Sequence, residues 1–109
     1  MASTYKVLAQ SAPSATTNTD VYTVGSGKSA VVSTITVCNR SASAATYRIA
    51  IRVAGATLAN EDYIAYGATC PANDMIALTL GLTLAATDVV TVFASSGDLS
   101  FNLFGSEVA

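Results

Sequence analysis

The sequence predicts an all-β protein: a single-domain antiparallel β-sandwich, jelly-roll-like, of about eight strands, with an N-terminal arm. Three observations predict it. The longest regular stretch is β-branched almost throughout, which suits a pleated, half-buried surface and disfavours a helix. Several other segments alternate apolar and polar residues with a period of two. Turn signals separate these segments at spacings of about ten residues, a rhythm that suits a sandwich and a jelly roll alike. With 109 residues the chain has enough material for one core and no room for a second.

Residues 1–17 read as the arm. Tyr5-Lys6-Val7-Leu8-Ala9 has the pattern of a short strand, and the Ser/Ala/Thr segment around Pro13 cannot bury enough apolar area to order itself. Two readings stand: a surface strand and loop, or an arm that adds its strand to a neighbour's sheet edge. On the second, removing residues 1–12 leaves the β domain folded. Residues 18–109 form the sandwich. Asp20 to Val24 alternates as a strand and turns through a glycine hairpin, Gly25-Ser26-Gly27-Lys28, into the long strand Ser29 to Arg40. There Val31, Ser33, Ile35 and Val37 fall on one side, and Val32, Thr34, Thr36 and Cys38 on the other.

Thr46 to Val53 places Tyr47, Ile49, Ile51 and Val53 inward and Arg48, Ala50 and Arg52 outward. Ala54 to Asn60 is a loop from which Leu58 tucks back onto the core. Tyr63 to Tyr66 is a short strand, and Gly67 to Asn73, with Cys70 and Pro71, a loop. Asp74 to Leu80 alternates through Ile76, Leu78 and Leu80 until Gly81 breaks it. Asp88 to Ala94 is a strand, Ser95 to Asp98 a hairpin connection, Leu99 to Phe104 the last strand and Gly105 to Ala109 a short tail.

Composition carries the first functional inference. Only 11% of residues are charged, against roughly 25% in an ordinary soluble domain. The hydrophobic fraction is 51% and the mean hydropathy +0.49. A domain this small buries only about two thirds of its chain surface by folding. The remainder must face something, and a weakly charged exterior of Ala, Ser, Thr and aliphatic side chains favours a subunit packed against copies of itself or a larger lattice. The net charge of −2, with Lys6, Lys28, Arg40, Arg48 and Arg52 scattered, argues against nucleic acid, which needs a concentrated basic surface. The apolar run from Met75 to Ala86 is too short for a spanning helix. Met1 to Lys6 contains no apolar signal core, so synthesis in the cytoplasm is expected.

Catalytic, cofactor-binding and metal-binding residues are not expected. Gly25-Ser26-Gly27-Lys28-Ser29 resembles part of a phosphate loop, but Tyr22 stands where the motif's first glycine belongs, and a β-branched strand follows instead of a helix. Without histidine, Ser-His-Asp and Cys-His arrangements are impossible. Asp74, Asp88 and Asp98 stand at strand starts, where carboxylates cap turns. Glu61-Asp62 is the one adjacent acidic pair and is expected to bridge to Arg48 or Arg52, within the subunit or across an interface. Cys38 and Cys70 read as reduced thiols, a disulfide requiring their Cα atoms within about 7 Å. Asn39-Arg40-Ser41 matches a glycosylation sequon by chance. The candidate interface residues are Tyr5, Val7 and Leu8 in the arm, Arg48 and Arg52 on one strand face, and Tyr63 and Tyr66. Tyr22, Tyr63 and Tyr66 are also the aromatics to test for sugar binding.

Tyr5 to Ser11, Val24 to Arg40, Tyr47 to Gly55, Asp62 to Tyr66 and Leu84 to Val92 together resemble small virion proteins of tailed bacteriophages, with Gly25 and Val53 standing where such proteins are expected to carry proline. The resemblance covers most of the chain. It implies a non-enzymatic structural part of the particle, foremost a head decoration (cement) protein on the major capsid lattice. A tail, collar or fibre component, or a virion-borne carbohydrate- or cell-surface-binding module, is the alternative. Copies of the chain itself are implied partners, a trimer by analogy, with a dimer open.

Overall fold

A computed structural model describes residues 3–109. The β-branched and alternating segments form eight strands: β1 (Ser3–Ser11), β2 (Thr19–Thr23), β3 (Ser29–Asn39), β4 (Ala45–Arg52), β5 (Tyr63–Cys70), β6 (Met75–Leu84), β7 (Val89–Ala94) and β8 (Leu99–Val108). They build two four-stranded sheets, a front sheet in the order β1-β8-β3-β6 and a back sheet in the order β2-β7-β4-β5. Every pairing is antiparallel. Consecutive strands alternate between sheets except at β4–β5, the winding of an eight-stranded jelly roll. The slab measures 45 × 28 × 19 Å, so two broad sheet faces make up most of its exterior.

The core lies between the sheets. Val32, Ile35, Val37, Leu99, Phe101 and Leu103 from the front meet Tyr47, Ile49, Val90, Val92 and Ala94 from the back, all buried. Tyr47 and Phe101 cross the gap edge to face, with ring centroids 6.4 Å apart. At about 25 cal/mol per Å² of apolar area, each such side chain contributes roughly 1.5–3 kcal/mol.

Local pattern and tertiary pairing part company at several places. Gly25–Lys28 and Ser95–Asp98 are not hairpins: β2–β3 and β7–β8 belong to opposite sheets, so both turns are arches across the sandwich. The first is closed by the Lys28 N–H donating to the Gly25 carbonyl (3.2 Å), with Gly27 at φ +75°. Of the consecutive strands only β4 and β5 pair with each other. Gly67 and Gly81 interrupt neither strand, because each is absorbed as a bulge with positive φ, and β5 runs on to place Cys70 in the core. Gly105 to Val108 is no tail but the end of β8, paired with both β1 and β3. Val53 lies in a short 3-10 turn (Val53–Gly55) and is exposed, while Leu58 is half-buried outside the core cluster.

The long strand also departs from simple alternation. Ser33 is a bulge residue, extra against β8 and facing Leu80 and Gly81 of β6. Ala30 and Val32 point inward before it, and Ile35, Val37 and Asn39 after it, so Val31 joins the outer face instead of sharing a side with Ile35. Gly105 makes this possible: a Cβ there would land on the carbonyl oxygen of Val31. Of the two readings of residues 1–17, the surface strand holds: β1 is the chain's own edge strand. β1 pairs along β8 from Ser3↔Val108 to Ser11↔Phe101, Pro13 is buried, and the Thr16 N–H donates to the Ala94 carbonyl (2.7 Å).

Candidate interaction surfaces

The candidate residues fall on the two outer faces. On the front sheet, Tyr5 and Val7 of β1 are register partners of Ser106 and Phe104 of β8, and Ser106 in turn faces Val31 of β3. The bulges at Leu8 and Ser33 keep these side chains on one side. Tyr5 is 86% exposed, Val7 47%, Val31 37% and Phe104 36%. Tyr5, Val31 and Phe104 rim a shallow groove of about 460 Å³ whose floor includes Gly105 and Ser106. The missing side chain at Gly105 therefore both permits the bulge and hollows the surface. Leu8 does not belong to this face; it is half-buried against the core. Val31 and Phe104, with the groove between them, were not among the sequence's candidates, since the Ser33 bulge that turns Val31 outward leaves no mark in the alternation.

Arg48, Tyr63 and Tyr66 meet on the back sheet. Phe93, Arg48 and Tyr66 are cross-strand partners on β7, β4 and β5. The Arg48 guanidinium carbon lies 4.2 Å from the Phe93 ring centroid and 4.3 Å from that of Tyr66, a cation held between two rings. Tyr63 adds its ring edge to face against Tyr66 at 4.9 Å. Phe93 was the member sequence reasoning missed, although its alternation with Val92 and Ala94 marks it as outward.

Arg52 is engaged within the subunit. It pairs with Asp20 (2.8 Å), and its guanidinium also donates to Thr91 Oγ1 and to the carbonyls of Gly55 and Ala56. Thr91 in turn donates to Asp20 (2.8 Å). The expected bridge from Glu61 or Asp62 to Arg48 or Arg52 within the subunit does not form among the described residues. Asp62 instead accepts the Ala59 N–H (2.9 Å), closing the turn Asn60–Asp62, and Asp20 takes Arg52.

Other polar groups are structural. Asp88, 7% exposed, accepts from the backbone N–H groups of Ala54 and Ala85, both at 2.9 Å, and Asp74 accepts from Met75 N–H (2.7 Å). Asp98 makes no such cap; its own N–H donates to Ser96 Oγ. Asn39, 2% exposed, donates to the carbonyls of Ser43 and Cys70 and accepts from Ser41 N–H, so its amide nitrogen is occupied inside the fold. Tyr22 is half-buried and donates to Glu107 (2.6 Å), which leaves it no free hydroxyl for a sugar. Burial, with the Glu107 charge beside it, pushes that phenol well above its ordinary value. Both cysteines are free. Cys70 is buried in the core, while Cys38 is half-buried beside Ser100 and Met75.

No helix is long and apolar enough to cross a membrane, and no cluster among the described residues has the makings of a metal site. Comparison with family models, with curated proteins and with solved structures found no match.

Proposed function

We propose that this chain is a non-enzymatic structural protein of a tailed-phage virion, a decoration (cement) subunit that binds the outer face of the major capsid lattice and stabilises the DNA-filled head. The observation that carries the reading is the front-sheet face, where Tyr5, Val31 and Phe104 stand together around a groove, with Val7 exposed nearby, on a chain with only 11% charged residues. A side chain from the capsid shell seated in that groove buries apolar area worth about 25 cal/mol per Å². Each contact is modest, and its repetition over a shell stiffens the whole. The resemblance to small virion proteins supports the same role. Self-association among copies and binding to the lattice share one physical origin, an exterior too poor in charge to be covered by water alone.

Cryo-EM of the virion that carries the chain tests the reading. Density for the sandwich on the head exterior, front sheet inward, is the expected result; density confined to the tail, collar or fibres defeats it. Phe104→Asp and Val31→Asp, both at exposed positions, are expected to lower head occupancy at least tenfold while the sandwich stays folded.

A further inference from the structure

Among the described residues, Arg48 on the back sheet takes part in no ion pair. The Arg48 guanidinium carbon lies over the ring of Tyr66 and over that of Phe93, on the two strands that flank β4. The other arginines are occupied, Arg40 with the Gly97 carbonyl and Arg52 with Asp20, and neither ion pair among the described residues involves Arg48. A guanidinium held between rings is stiff and partly dehydrated, and the ligand that fits its edge is a carboxylate taken by two parallel hydrogen bonds.

The chain's own carboxylates narrow the choice. Asp20 and Glu107 sit in ion pairs, and Asp62, Asp74 and Asp88 accept backbone N–H groups. Asp98 lies in the turn beside Gly97, where Arg40 is already bound. Glu61 is exposed in the turn Asn60–Asp62, which packs against β4 and leads into β5 just before Tyr63. Arg48 on β4 and the turn that carries Glu61 thus both border β5, where Tyr66 is 63% exposed.

We propose that the outer face of the back sheet is a two-fold contact between two copies of this chain, in which Arg48 of each copy binds the Glu61 carboxylate of the other. A two-fold contact brings the same patch to both sides, so one patch must supply both charges, here from β4 and from the turn that leads into its neighbour β5. Arg and Tyr at the centre are the residue types that anchor interfaces. The contact gives a dimer in place of the trimer implied by the resemblance. It leaves the front sheet free, and its failure would not touch the capsid reading.

Sedimentation equilibrium of the purified chain over a wide concentration series is the test. A monomer–dimer equilibrium is expected. Arg48→Glu and Glu61→Arg should each weaken it on the order of a thousandfold, because the pair occurs twice across the axis. The double exchange should restore the dimer to within about tenfold. Glu61→Arg lies at an exposed turn, and Arg48→Gln removes the charge without reversing it; circular dichroism checks that each variant is folded. A monomer at all concentrations, a trimer, a dimer indifferent to the single changes, or a double variant no better than the single ones would each overturn the proposal.

Discussion

Glu107 takes one hydrogen-bond donor from each sheet, the Tyr22 hydroxyl of the back sheet (2.6 Å) and the Lys6 ammonium of the front (2.9 Å). Tyr22 first and Lys6 second hold its carboxyl below the ordinary value of 4.5. The folded state therefore binds the proton less readily than the unfolded chain, and the resulting stability is complete above pH 4.5 and lost as the pH falls through the depressed folded value. Glu107→Gln should lower the urea midpoint at pH 7, and the gap from the unaltered chain should close as the buffer is taken below pH 4.5; a gap unchanged down to acid pH would mean that packing, not charge, sets the effect. The two thiols make a second contrast. Burial pushes the Cys70 thiol up, with the nearby Asp74 charge adding to it, while Cys38 stands half-buried on the front sheet. At pH 8 a thiol reagent should label Cys38 at least a hundredfold faster than Cys70, whose rate should track global unfolding in added urea. Equal rates would show that the core around Cys70 opens locally.

At the scale of elements, the existence of every strand was legible because burial on one face leaves a period of two in residues such as Tyr47 and Ile49 or Phe101 and Leu103. The partner of a strand leaves no such trace. Alternation says which side chains face the core, not which neighbour supplies the hydrogen bonds, so two arches read as hairpins and the edge strand β1 reads equally as a surface strand or an arm. Bulges hide for a related reason: Ser33 shifts the parity of β3, yet Val31-Val32-Ser33-Thr34 is β-branched or small at every position and reads equally well in either phase. Of the candidate site, Arg48 was legible as an outward residue of its strand; Tyr63 and Tyr66, three apart, meet only because of a register shift in β5, and the groove beside Val31 depends on the parity shift in β3. Two outcomes follow at this scale. Gly105→Ala should cost about 3 kcal/mol or more, since the new methyl meets the Val31 carbonyl and backbone must move, and a denaturant midpoint within error of the unaltered protein would refute the bulge. Deleting residues 1–12 strips β8 of its partner β1, leaving it paired only with β3, and removes Leu8 and Ala9 from the rim of the core. Such a chain should melt well below the intact one and aggregate through the bared β8 edge, read by light scattering during the melt. A soluble truncated chain of unchanged stability would restore the arm.

For the molecule as a whole, the jelly-roll winding makes nearly all of its pairing distant in sequence. Only β4 and β5 are neighbours both along the chain and in a sheet, and the ladder between β1 and β8 joins the two ends, with Ser3 the register partner of Val108. Loop closure must precede the contacts that reward it, so folding should fall in the slow range of about milliseconds to seconds typical of non-local β proteins. Joining Ala109 to Met1 through a short Gly-rich linker converts β8–β1 from the most distant pairing into a hairpin. The new ends belong in the Gly25–Lys28 arch, which connects opposite sheets and whose opening breaks no strand pair. Both ends of β3 stay anchored, since β8 and β6 flank it along its length. The permutant should keep the far-ultraviolet spectrum of the parent and fold about tenfold faster in stopped-flow refolding, with unfolding changed less. Opening the 53–60 loop instead severs the one existing local pair, β4–β5, and should cancel most of the gain. Equal refolding rates for the parent and both permutants would mean that the step limiting folding is not closure between the ends, and that the sheets condense around β3 before β1 arrives.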